Sequence, residues 1–145
     1  MGSLWHILTI LKAVEAYGRQ RGNTLARILV VDDDFRYRRA VRIALTVRGY
    51  EVPEAANGLE ALDETRIEAT DVILMDWVMP GMGGDAACRA IRTASSVPII
   101  VVTALDRERE ALAAGADVFL QKPVSIHTLQ AGIEAILGAR GTHRE

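Results

Sequence analysis

The chain has 145 residues, half of them hydrophobic, which is enough to bury one core and lies within the usual range of a single domain. Seventeen Lys and Arg against nineteen Asp and Glu leave a net charge of −2, which argues against a general nucleic-acid or anionic-membrane binder. A single cysteine, Cys88, forbids an intrachain disulfide; the absence of any apolar run of about 18 residues and of a signal peptide makes a soluble, cytoplasmic protein the expectation.

In chain order, "SLWHILTILKAVEAYG" (3–18) comes first, with Ser3 as a cap and Gly18 as a stop. Its polar residues His6, Thr9, Lys12 and Glu15 form a narrow stripe on an otherwise apolar helix. Such a helix should pack against its own domain or a second copy of the chain, making a homodimer. A membrane-surface role fits less well because the polar stripe carries little basic charge. "RQRGNTLA" (19–26) reads as a linker, so residues 1–25 form an appendage to a domain over 26–138, with 139–145 as a tail.

Five short β-branched runs then alternate with helical patterns. "RILVVD" (27–32), "YEVPEA" (50–55), "DVILMD" (71–76), "PIIVVT" (98–103) and "DVFLQK" (117–122) read as strands. The central three are almost continuously apolar, as strands covered on both faces should be, and this predicts a parallel sheet. The predicted helices are 35–48 with Gly49 as C-cap, 58–68, 84–93, a short 106–114 stopped by Gly115, and 125–137 ending at Gly138. Five βα units make a doubly wound α/β fold.

Polar groups cluster where the strands end. The first strand finishes "VVDDD" (Asp32, Asp33, Asp34) and the third finishes at Asp76, ahead of a turn of Pro80, Gly81, Gly83 and Gly84. The fourth finishes "VVTA" with Thr103 and Ala104, and the fifth runs into "QKPV" with Lys122 and Pro123. Right-handed crossovers bring these carboxyl ends to one edge, where ligands of open α/β sheets bind. Clustered carboxylates repel unless a hard divalent cation sits among them, and oxygen donors without Cys or His point to Mg²⁺ rather than zinc. A hydroxyl and an ammonium facing the same point suit an anionic phosphoryl group. Three aspartates after the first strand would repel the phosphate of a flavodoxin-like cofactor.

The fragments "ILVVDDD", "ILMDWVMPGMGG", "IIVVTA" and "GADVFLQKPV", in this order, resemble the receiver domain of two-component response regulators over residues 26 to about 138. The resemblance implies a flavodoxin-like sheet of order 2-1-3-4-5 and names Asp76 as phosphoacceptor. The donor would be the phosphohistidine of a sensor kinase or a histidine phosphotransfer protein, or a small phosphodonor. Mg²⁺ would be held by Asp33, Asp76 and the Val78 carbonyl, with Asp32 assisting through water. Thr103 and Lys122 would each hold a phosphoryl oxygen, and the Lys122–Pro123 peptide is expected to be cis. Phe119 would turn inward as Thr103 follows the phosphoryl group, and it lacks the hydroxyl of the tyrosine often found there. Val78 and Leu105, with Ala104 beside them, would flank the approach of water to the phosphoryl group. The segment between Thr103 and Phe119 is about one helical turn shorter than the family pattern, so the fourth receiver helix should be stunted.

Other conspicuous residues have simpler expectations. Asp34 should cap the helix starting at Phe35, Cys88 should be a core residue, and Trp77 a packed aromatic. Arg36, Arg38, Arg39 and Arg42 should form a solvated helix face rather than a duplex-binding patch. Only "ARGTHRE" follows the last predicted helix, giving the expectation of a stand-alone receiver that acts by binding an unknown downstream protein or by relaying phosphate.

Overall fold

The computed structural model describes residues 3–20, 26–64 and 69–141, with only the backbone for 3, 14–20, 64 and 140–141. Among the described residues eleven elements follow one another: α1 (Ser3–Gln20), β1 (Ile28–Val31), α2 (Phe35–Val47), β2 (Glu54–Ala55), α3 (Gly58–Glu64), β3 (Val72–Met75), α4 (Gly84–Ala94), β4 (Ile99–Thr103), α5 (Glu108–Ala114), β5 (Val118–Gln121) and α6 (Ile126–Gly141). The strands form a five-stranded sheet in the order β2-β1-β3-β4-β5, and every neighbouring pair is parallel.

Side chains alternate across a strand, so each apolar run feeds two cores. Leu29, Val31, Ile73, Met75, Ile99 and Val101 point to one face and pack with Ala61 of α3, Ala87, Cys88 and Ile91 of α4, and Ala111 of α5. Ile28, Val30, Val72, Leu74, Ile100 and Val102 point to the other and pack with Val41 and Leu45 of α2 and Leu129 and Ile133 of α6. Both faces are therefore dry, which is why β1, β3 and β4 show no polar alternation. Cys88 is fully buried in the first cluster and is a core residue.

Local stops are written in a few residues. The Asp34 side chain accepts from the amides of Arg36 and Tyr37 and caps α2, and Gly49, at φ 99°, turns the chain out of it. Gly115 ends α5 in the left-handed region at φ 113°, leaving a helix of seven residues.

Several boundaries differ from expectation. The second strand shrinks to Glu54–Ala55 plus a bridge between Arg27 and Glu51, because Pro53 has no N–H to give to the ladder. Helix α6 runs through Gly138 to Gly141, so the expected tail boundary at 138 falls inside a helix. Likewise α1 passes Gly18 and ends at Gln20; most of the expected linker, 21–25, and the last turn expected of the second receiver helix, 65–68, lie outside the described residues. A glycine interrupts a helix weakly, by about 1 kcal/mol, which neighbouring turns can override.

Helix α1 lies against α2. Leu11 is its buried anchor, 3% exposed, while Leu4, Trp5 and Ile10 remain more than half exposed. No helix among the described residues is long and apolar enough to cross a membrane. If Leu11 holds α1 in place, Leu11→Ala should weaken that docking by about 2 kcal/mol. Amide exchange in α1 should then accelerate while β1 and β3 keep their protection; unchanged exchange in α1 would contradict the anchoring role.

Candidate functional site

The carboxyl ends of β1, β3, β4 and β5 open on one edge of the sheet, and the polar residues that follow them meet there. Asp32 is 2% exposed immediately after β1. Its Oδ1 accepts from the Asp34 amide at 2.9 Å, and its Oδ2 accepts from Lys122 Nζ at 2.8 Å. Asp33, the next residue, is exposed. Asp76 follows β3, its amide donating to the Val31 carbonyl at 2.9 Å, so β1 sets its height. The Trp77 amide donates to Asp76 Oδ1 at 2.8 Å, and Asp76 Oδ2 lies 4.0 Å from Lys122 Nζ.

The other strands complete the edge. Thr103, the last residue of β4, is 2% exposed. Its carbonyl accepts from the Lys122 amide at 2.7 Å, which ties the end of β5 to the end of β4. The Lys122–Pro123 peptide is cis. Val78 lies two residues beyond Asp76 and is 57% exposed; Leu105 lies two beyond Thr103 and is 40% exposed, with Ala104 exposed between them. Phe119, in register with Val101, is partly buried against the core on the α4 side. Trp77 packs against the same core.

Close backbone approach holds the loop after Asp76. The Gly84 amide donates to the Trp77 carbonyl at 2.8 Å, and a Cβ on Gly84 would collide with the Asp76 carbonyl oxygen and lie 2.8 Å from Trp77 Cα. Only glycine lets α4 begin this close to the strand end.

Carboxylate oxygens of Asp32, Asp33 and Asp76 lie within 4.8 Å of one another. The donors are hard oxygens and one of the three residues faces solvent, which suits a cation such as Mg²⁺ that retains several waters. Burial, and then the negative charge of Asp32, push the Asp76 carboxyl above its ordinary value; Lys122, the Trp77 amide and the Thr103 hydroxyl pull the other way. Burial together with the charges of Asp32 and Asp76 pushes the Tyr37 phenol up to about 12, so it stays neutral at physiological pH. Burial likewise pushes the Cys88 thiol up to about 11, which removes it as a nucleophile.

Some neighbours were not legible as part of this edge. The Tyr37 ring lies under the Lys122 ammonium, 3.9 Å from Nζ to the centroid. Arg38 Nη1 donates to the Asp32 carbonyl at 2.6 Å while its Nε donates to Glu54. The expected solvated arginine face is corrected here: Arg38, Arg39 and Arg42 converge on Glu54, whose side chain is 10% exposed, at 3.0, 3.6 and 2.7 Å. The spacing of Arg38 and Arg42 one helical turn apart was the available signal, but their shared partner is on another element.

The model of the "Response regulator receiver domain" family matches residues 28–134. The response regulator MprA of Mycobacterium avium is 42% identical over 115 residues, which span 77% of this chain and 50% of that protein. The chain thus spans about half the length of the curated relatives it matches. Among solved structures, a CheY-like receiver domain protein from Methanospirillum hungatei superposes with a TM-score of 0.75 at 32% identity, covering 82% of this chain and 98% of that one. The chemotaxis response regulator CheY4 of Vibrio cholerae does so with a TM-score of 0.72 at 35% identity, covering 78% and 99%.

The raised Asp76 carboxyl carries a stability consequence. A folded-state value above the unfolded one means that the folded state holds the proton to higher pH, so this contribution is present at low pH and lost as pH rises through the folded value. Asp76→Asn should therefore raise the thermal midpoint of metal-free protein at neutral pH, with the gain fading as pH falls to the ordinary carboxylate range. A midpoint lowered by the substitution at neutral pH would contradict this balance.

Proposed function

Because the chain belongs to the response regulator receiver family, we propose that it is a phosphoacceptor of a two-component system or phosphorelay, with Asp76 as the residue phosphorylated. The observation that carries this reading is the meeting of Asp32, Asp33, Asp76, Thr103 and Lys122 at one sheet edge. A carboxylate oxygen of Asp76 attacks the phosphorus of a phosphohistidine on a sensor kinase or histidine phosphotransfer protein in the cytoplasm. The P–N bond breaks, and the imidazole leaves with its electron pair and takes up a proton. Lys122 and Thr103 each hold a phosphoryl oxygen, since charge spread over those oxygens needs donors from several sides. Asp33, Asp76 and the Val78 carbonyl, with Asp32 assisting, would hold Mg²⁺, which when bound would neutralise phosphoryl charge.

Residues 26–138 carry this chemistry, and α1 is an appendage to it. Thr103 drawn towards the phosphoryl group vacates space for Phe119 to turn inward, and a protein-binding surface changes with it. An unidentified downstream protein reads that surface or receives the phosphoryl group. The seven-residue α5 narrows the face on that side.

Intact-mass analysis with acetyl phosphate and Mg²⁺ should add one phosphoryl group to the wild type and none to Asp76→Asn or to protein in chelator. Phosphorylation of the Asn variant at the wild-type rate would sink the assignment.

The lifetime of the phosphorylated state follows from Val78 and Leu105. Both are apolar and exposed beside the site, so neither can orient a water for in-line attack. The aspartyl phosphate should be long-lived compared with receivers that carry polar residues there. Val78→Asn with Leu105→Glu should speed phosphate release roughly ten- to a hundredfold, about 1–3 kcal/mol of barrier. Release no faster than wild type would mean that active-site charge alone sets the rate.

A further inference from the structure

Lys122 has three N–H donors and a crowded set of neighbours. Its ammonium bonds Asp32 at 2.8 Å, stands 4.0 Å from Asp76 Oδ2, too far for a hydrogen bond, and rests 3.9 Å above the Tyr37 ring centroid. Tyr37 comes from the first turn of α2, where the Asp34 cap fixes its amide at 3.3 Å, and its ring packs against the core cluster beneath. Together with Asp32 and Asp76 it also lines a small cavity under the strand ends. The ring is thus held independently of Lys122.

A ring face attracts a cation without a directional bond. The ammonium can therefore slide or pivot on it, whereas a second carboxylate would fix it in one place. In the resting arrangement Lys122 leans on Asp32; to hold a phosphoryl oxygen on Asp76 it must shift towards Asp76. Any demand on Asp32 from elsewhere weakens the contact that now restrains the ammonium, and nothing in that event by itself directs the side chain inward rather than to solvent.

We infer that Tyr37 is a positioning residue for Lys122, its ring face keeping the ammonium inside the site as it moves from Asp32 to the phosphoryl group. This rests on the phosphoacceptor reading of Asp76 and adds a residue to it. The side chain at position 37 then sets how readily Lys122 is delivered to the incoming group, with the phenol hydroxyl playing no part.

The test compares Tyr37→Phe and Tyr37→Trp, which keep a ring, with Tyr37→Leu, which does not. Each is checked by thermal unfolding and read in two ways. The first is the NMR shift of the Lys122 ε-methylene in metal-free protein, which a ring 3.9 Å from the neighbouring nitrogen should move upfield. The second is the rate of Asp76 phosphorylation by acetyl phosphate, alongside Mg²⁺ affinity from Trp77 fluorescence in a Trp5→Phe background. The expected result is a retained upfield shift and rate in the Phe variant and a retained rate in the Trp variant. In the Leu variant the shift is lost and the rate falls about tenfold, with Mg²⁺ affinity unchanged. A Leu variant that loses the shift but phosphorylates like wild type overturns the inference, as does a Phe variant as slow as Leu, which would assign the effect to the hydroxyl. Should wild-type protein take no phosphoryl group, the phosphoacceptor reading fails instead. The inference, which rests on that reading, then falls with it whatever the ring shift shows.

Discussion

Bringing the oxygens of three carboxylates within 4.8 Å of one another is electrostatically adverse, and the sheet edge is arranged around relieving it. Lys122 supplies the nearby positive charge, and it reaches Asp32 because β5 pairs with β4 and its end is bonded to the Thr103 carbonyl. Backbone amides of Asp34 and Trp77 each take one carboxylate oxygen, so the turns after β1 and β3 are shaped by the same requirement. Asp76 nevertheless stays above its ordinary value, through burial first and the charge of Asp32 second.

The strand ends were legible because their signal is local. An apolar run that stops on Asp32, Asp76, Thr103 or Lys122 is visible in a single stretch of chain, and parallel topology then brings the ends together without knowledge of side-chain contacts. Tyr37 was not legible, because an aromatic one turn into an amphipathic helix has the same spacing as a core residue, and indeed part of its ring is one. Its second role depends on Lys122, 85 positions later, reaching across from another strand. Glu54 and the arginines of α2 failed for the same reason: periodicity assigns a face to a helix but says nothing of a carboxylate waiting on β2. Gly18 and Gly138 were overread as stops, whereas Gly49 and Gly115, which do end helices, adopt positive φ.

The arginine cluster also links the site to the sheet margin. Arg38 spans from Glu54 to the Asp32 carbonyl, so the end of β1 is braced from the side of β2 as well as by β3. Helix α2 therefore carries both the ring under Lys122 and the guanidinium behind Asp32. The appended α1 packs on that same helix, and a rigid shift of α2 would be felt at two points of the acidic edge.

Pro53, described above as the reason β2 is short, has a bearing on solubility. An unpaired sheet margin offers a row of amides and carbonyls to any extended chain that meets it, which is how native sheets come to nucleate fibrils. Here one margin pairs over only two residues and holds a glutamate under three guanidiniums. A fold whose interior strands are almost wholly apolar thereby presents one short, charged margin on which a growing β-aggregate finds little template.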